Sequence, residues 1–306
     1  MKSIIQFPHP GGEHNAKTGI KWNTSSHKRK YLKVEGSYLK NLSSKPIDGT
    51  VYFWGEWEAP SKATPTGKKS PLPKFIFEPC YTLTVPNKVA NTDPFVFGKQ
   101  FYYCICKQGH YPSLRDLDKG SLIIFGSHKD SSYILDTLFV VKGWRDYKIS
   151  EIPILKTEYN DVFYVASLVP MNNTSAVQCK ITIEDKNETG ICLPTSGDDE
   201  SDNKPVKNVE IYRIYEAMMY DDVKGTDGIF SFAPCHPEPE GRSGFTRPAI
   251  EMSYISQGLN QGIKIINGKA ADKVWNDITT EVLNKGLNLM IETALPKKCT
   301  NQVKQQ

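Results

Sequence analysis

Glu56 and Glu58 are the residues of this chain whose type and spacing are best suited to chemistry. They sit in Thr50 to Pro60, TVYFWGEWEAP, beside Trp54 and Trp57. In an extended strand residues two apart share a face, so both carboxylates point one way and Trp57 the other. Two carboxyl groups on one face can serve as general acid and general base. The same groups can accept from the amino groups of a base edge while an indole stacks on its face. The plain alternative is two solvated carboxylates on a strand whose Trp57 is core. Gly55 inside the run predicts a bulge or a close backbone approach.

Four other stretches carry reactive or charged types. Pro8 to His14 places His9, Glu13 and His14 around Gly11-Gly12. H-x-x-x-E-H has the residues of an inverted zinc-protease motif, but that motif needs a helix, and two prolines with two glycines forbid one here. A polar loop or an anion contact through backbone N–H groups fits better, and no metal is expected. His27 to Lys40, HKRKYLKVEGSYLK, is the most basic stretch. Lys28, Arg29, Lys30 and Tyr31 alternate cation and ring as a nucleic-acid contact would, or form a charged strand edge. Ser61 to Pro73 is a second Lys-bearing loop. Tyr220 to Arg247 is long and irregular and holds Cys235-His236, Arg242 and Arg247. Adjacent thiol and imidazole rarely meet productively. Arg242 and Arg247, beside Phe245, suit a phosphate better.

The elements that must position these groups are mostly strands. Ser3–Phe7, Val51–Trp54, Lys74–Thr84, Gln100–Lys107, Ser121–Phe125, Tyr133–Val141, Ala176–Glu184, the start of Val209–Met219 and Ile263–Ile266 read as strands. Glu158–Pro170 fits strand or short helix. The continuous apolar runs at 121–125 and 133–141 predict burial on both faces, as in a barrel or closed sandwich. Ala270 to Ala294 is the clearest helix, with Val274, Trp275, Ile278, Val282 and Leu283 on one side and a break or bend at Gly286. Gly197 to Asn203, GDDESDN, is an acidic loop at which the chain can be divided.

The chain has 306 residues, a net charge of +4 and 11% aromatic residues. That length holds one large or two ordinary domains. The charge is too small to establish a polyanion partner, so nucleic-acid binding must rest on local patches. Seven cysteines show no repeating spacing, and Cys104-x-Cys106 is not a C-x-x-C pair. They read as free thiols of a reducing cytosol, with Cys104 and Cys106 as small core residues. The N-terminus has too few apolar residues for a secretory signal, and no apolar run is long enough for a membrane span. A cytoplasmic location is expected.

Leu117 to Ser127, LDKGSLIIFGS, resembles the Gly-Asp-hydrophobic strand of PUA-like barrels of the EVE and ASCH type, and Tyr133–Val141 fits the strand that follows it there. Asp93-Pro94-Phe95, Gly98, Cys104 to Lys107 and Leu114-Arg115 are similar to pieces of a nucleotide-modification-associated domain. The resemblance is confined to 91–141, and Ser121 stands where the family has Asp. It implies a bacterial or phage-encoded protein tied to DNA modification or phage defence that recognises nucleic acid or a modified nucleotide.

Together these features predict a strand-rich α+β chain with a central PUA-like β-barrel and a C-terminal amphipathic helix. One large domain is expected: N-terminal strands and basic loops over 1–78, the barrel core over 79–170, and a C-terminal elaboration over 205–306. The expected ligand contacts are Trp54, Trp57, Arg115, Ser127, His128 and Arg247, with Lys28, Arg29, Lys30 and Tyr31 on nucleic acid. The competing expectation is an enzyme on a nucleotide or nucleic acid, a hydrolase or glycosyl-type transferase using Glu56 and Glu58. A third is an interaction protein with a flat aromatic patch. No cofactor is named by the sequence, and no membrane partner is expected.

Overall fold

The computed structural model describes residues 2–16, 21–23, 27–86, 89–170, 211–259 and 262–300. The strand expected at 176–184, the acidic loop at 197–203, and Cys179 and Cys192 lie outside them. The described strands are β1 (Ile4–His9), β2 (Arg29–Leu39), β3 (Ile47–Glu56), β4 (Ser61–Pro65), β5 (Phe75–Tyr81), β6 (Tyr102–Tyr103), β7 (Leu122–Lys129), β8 (Ser132–Tyr147), β9 (Tyr212–Ala217), β10 (Ala233–Pro237), β11 (Lys264–Ile265), β12 (Asn288–Thr293) and β13 (Lys297–Lys298). One sheet runs β11-β1-β7-β8-β9-β6. The other runs β12-β10-β3-β2-β5-β13, with β4 on β5.

Within the second sheet, β2 pairs with β3, β3 with β10, β10 with β12 and β12 with β2, all antiparallel. These four strands close a small barrel. It draws on the two ends of the chain and not on 79–170, which corrects the expected location. The apolar runs of β7 and β8 have a different cause. Ile5, Phe7, Ile123, Phe125, Phe139 and Val141 enter one apolar core, while Ile4, Leu122, Ile124, Leu138 and Val140 enter another. Alternate residues of a strand face opposite sides. The first sheet therefore lies between two cores, and its central strands need apolar residues at every position.

The second core is closed by the C-terminal helix, Ala271–Asn284. Val274, Ile278 and Val282 recur every fourth residue and are buried with Trp275. The helix stops before Gly286, whose φ of 75° suits a residue without a Cβ. The residues after it form β12, so the helix expected through Ala294 is shorter. Glu158–Pro170 is helical in its ordered turns, with Asn160 capping Phe163 N–H. No helix among the described residues is long and apolar enough to cross a membrane.

Two further expectations change. Cys80 of β5 and Cys299, the residue after the paired β13, are joined by a disulfide, so these two are not free thiols. Their separation of 219 residues left no local sign of the pairing. Gln100–Lys107 is strand only at Tyr102–Tyr103. The next three residues turn around Asp93, whose carboxylate accepts the N–H groups of Cys104, Ile105 and Cys106 at 2.9, 2.8 and 2.7 Å. A local carboxylate there outcompetes the sheet for those donors.

Candidate functional site

Strand register builds an ionic cluster inside the protein. The β2–β3 pairing sets Arg29 directly across from Glu56. The parallel β1–β7 pairing sets His9 beside Ser127. Between β7 and β8 the register slips: Phe125 faces Thr137 and Gly126 faces Leu135. Asp136 is the extra residue of this bulge, and bulges re-aim side chains in this way. The bulge requires Gly126, because a Cβ there would stand 2.2 Å from the Ile134 carbonyl oxygen.

Arg29 is the hub. It is 1% exposed, and its Nη1 donates to Glu56 Oε2 at 2.7 Å while its Nε donates to Asp136 Oδ2 at 2.6 Å. Asp136 Oδ1 also accepts from Arg247 Nη1 at 3.1 Å. Arg247 donates further to Ser127 Oγ at 2.8 Å and to the Gly11 carbonyl at 2.6 Å. On the other side Glu56 meets two imidazoles: His9 Nδ1 lies 2.9 Å from Oε2, and His27 Nδ1 lies 2.9 Å from Oε1. The His9 ring reaches Cys106 Sγ with Nε2 at 3.2 Å. Glu58 is fully buried, with Oε1 3.7 Å from His27 Nδ1. His27, at 29% side-chain exposure, is where this arm of the cluster reaches solvent.

The contacts set the charges. Burial works against ionised Glu56, but His9, Arg29 and His27 together hold it well below the usual carboxylate range. Burial opposes charge on His27 as well, and Glu56 nonetheless raises it to about 9. Burial pushes Glu58 up to about 7, with the Glu56 charge adding to the rise and His27 and Lys30 opposing it. Burial also lowers His9, outweighing the pull of Glu56. The cluster thus sets an ionised carboxylate beside one that shares protons near neutrality, a pattern used for acid–base work. Cys106, His9 and Glu56 also stand in the order of a thiol, a base and an orienting carboxylate. Burial keeps the Cys106 thiol protonated at neutral pH. Among the described residues, His27, Glu56 and Glu58 offer three donor atoms within 4.8 Å of one another, as a metal ion would need.

Several expected site residues join this cluster and several do not. Glu56, Glu58, Ser127, Arg247 and Arg29 are in it. Trp54 flanks it: the Arg247 guanidinium lies 5.5 Å from its ring centre, and its Nε1 donates to the Phe245 carbonyl. Trp57 is fully buried against Phe97 with Nε1 on the Pro60 carbonyl, so it presents no stacking face to a ligand. Lys30 and Tyr31 are interior too. Lys30 Nζ donates to the Ala59 carbonyl and Ser61 Oγ, and Tyr31 OH to the Gly241 carbonyl. The basic stretch is therefore no continuous cationic ribbon: strand pairing and the barrel take Arg29, Lys30 and Tyr31 inward, Lys28 and Lys33 are half-buried, and Lys40 is exposed at the far end of β2. Arg115 is tied to the Gln108 carbonyl, and His128 is half-buried opposite Tyr133 in β7–β8. Glu13 accepts the Lys74 N–H and His14 packs on Phe77, so His9, Glu13 and His14 do not converge. Gly55 lies in regular register, tight against Phe53 and Leu32, with no bulge.

The sequence groups His9 with Glu13 and His14 and, in the enzyme reading, sets it or Arg247 on the anion near Glu56 and Glu58, whereas Asp136 and Cys106 carry no signal of a site there. Asp136 meets Arg29 from 107 residues away and Cys106 meets His9 from 97. Beside the cluster lies a cavity of about 160 Å³ that shares Arg247 and Gly11 with it and is also lined by Trp54, Glu13 and Lys129. No family model matches this chain, and neither a curated protein nor a solved structure matches it.

Proposed function

We propose that the protein is an enzyme acting on a nucleotide or nucleic acid, with Glu56 and Glu58 as its catalytic carboxylates and His27 at their solvent side. The observation that carries this reading is Glu58. It is wholly buried next to a second carboxylate, and its oxygens have only poorly aligned polar contacts, the Asn23 side chain among them. Such a group costs stability. Buried ionisable groups of this kind gather where chemistry is done.

The substrate class rests on the adjoining cavity. Its lining sets Arg247 and Lys129 beside Glu13 and Asp130, with Trp54 as an aromatic wall, which suits a ring carrying both donor and acceptor groups, such as a nucleobase. The other reading, a PUA-like reader of modified bases linked to DNA modification or phage defence, needs exposed stacking and cationic side chains. The burial of Trp57, Arg29, Lys30 and Tyr31 favours the enzyme.

The test is an activity screen of the purified protein on nucleosides, nucleotides, DNA and RNA oligonucleotides with divalent metals, read by mass spectrometry of the products. Glu58→Gln should lower turnover at least about a hundredfold, as loss of an acid–base group does, and leave substrate binding in place. Consumption of no member of the panel, or a Glu58→Gln protein as active as the parent, would sink the proposal. Binding without turnover would return the weight to the reader.

A further inference from the structure

We infer that His27, Glu56 and Glu58 form a binding site for one divalent transition-metal ion. The distances fit. His27 Nδ1 is 2.9 Å from Glu56 Oε1 and 3.7 Å from Glu58 Oε1, and all three donors lie within 4.8 Å of one another. Nitrogen and oxygen ligands that each sit about 2.0–2.2 Å from a common ion are separated by roughly 3–3.5 Å.

A second, independent observation selects the same atoms. His27 Nδ1, Glu56 Oε1 and both oxygens of Glu58 are buried atoms without a well-aligned hydrogen-bond partner in the protein. His27 and Glu56 approach at 2.9 Å, yet the imidazole N–H does not point along that line. Nitrogen and oxygen stand side by side, as two ligands of one centre do.

The surroundings complete the site. Glu56 Oε2 is held by Arg29 Nη1, so its other oxygen is presented in a fixed direction. The partial exposure of His27 leaves a side open for water or substrate, as in catalytic centres and unlike closed structural ones. One imidazole and two carboxylates suit Mn²⁺, Fe²⁺ or Zn²⁺ better than Ca²⁺, which takes oxygen ligands alone. The inference does not depend on the nucleotide reading, because metal binding is measured without turnover.

The experiment is a titration of tag-free, chelator-treated protein with Mn²⁺ and with Zn²⁺ by calorimetry, with Mg²⁺ and Ca²⁺ for comparison. One equivalent of Mn²⁺ or Zn²⁺ should bind. His27→Ala and Glu58→Gln should each weaken binding tenfold or more, and His14→Ala should not. Melting curves in chelator establish that the variants fold. On the unmodified protein, pulsed electron paramagnetic resonance of bound Mn²⁺ should show coupling to one histidine nitrogen, which tests the site even if a variant fails to fold. No stoichiometric binding, unchanged affinity in both His27→Ala and Glu58→Gln, loss in His14→Ala alone, or no nitrogen coupling would each overturn the assignment.

Discussion

The apolar core under the C-terminal helix and the ionic cluster at the β2–β3 end are both buried, but they obey opposite rules. In the helix core Val274, Ile278 and Val282 pack with Phe230, Phe232, Leu138 and Val140. The polar atom of Trp275 there is satisfied, its Nε1 donating to the Phe230 carbonyl at 2.6 Å, while the buried Thr279 hydroxyl of the same helix lacks a partner but carries no charge. In the cluster two arginines, two histidines and three carboxylates share the interior, and Glu58 lacks well-aligned partners altogether. Apolar burial with satisfied polar atoms stabilises a fold. Buried ion pairs at best offset their own desolvation, and an unpaired carboxylate loses outright. The first region holds the fold together. The second is tolerated because the first does so.

Substitutions can break that contrast, beginning with the cluster's hub. Arg29→Met leaves Glu56 and Asp136 buried without their shared cation and should destabilise the protein by about 3–5 kcal/mol in urea unfolding. Ile278→Ala, a cavity in the apolar core, should cost about 3 kcal/mol and leave metal binding intact. If Ile278→Ala proved harmless, the helix would not be what closes that core.

A smaller effect is read in the pH dependence. Burial lowers Lys30 from its usual range to about 8, with Glu58 opposing the shift. The unfolded chain then holds more protons than the folded one between about 8 and the unperturbed lysine value of roughly 10.4. Stability should therefore rise with pH across that window, by at most about 1.4 kcal/mol per unit, and level off below about 8, where both states hold the proton. Lys30→Met should flatten this slope in melts at several pH values, and a slope retained in the variant would assign it elsewhere. The smallest effect sharpens the comparison most. Glu58→Gln in chelator should keep or raise stability by about 1 kcal/mol while removing turnover. Loss of stability in that variant would make Glu58 a structural group.

Much of the frame was legible in local pattern. Strands β1, β3, β7 and β8 follow from short apolar or β-branched runs, and the C-terminal helix from its four-residue spacing, because period and propensity act over a few residues. Glu56 and Glu58 were legible as a pair for the same reason. The barrel was misplaced because a continuous apolar run reports burial on both faces without saying what covers them. The inward turn of Lys30 was hidden because its partners at Ala59 and Ser61 lie across the sheet, and a lysine in a basic run looks solvated until those partners are known.

Asp136, His9 and Cys106 show where sequence runs out. Asp136 is one acidic residue in an apolar strand, YILDTLFVV. It becomes the partner of two arginines only because β7 and β8 slip by one residue, and the arginines arrive from positions 107 and 111 residues away. Local sequence, through side-chain size and alternation, determined the strands with long apolar or alternating runs, such as β1, β3, β7 and β8, but not β12, which it read as helix. Their order in the sheets, their register and the bulge depend on long-range pairing, which no short window contains. That pairing decided which charges meet, and so it alone brought His27, Glu56 and Glu58 to one point.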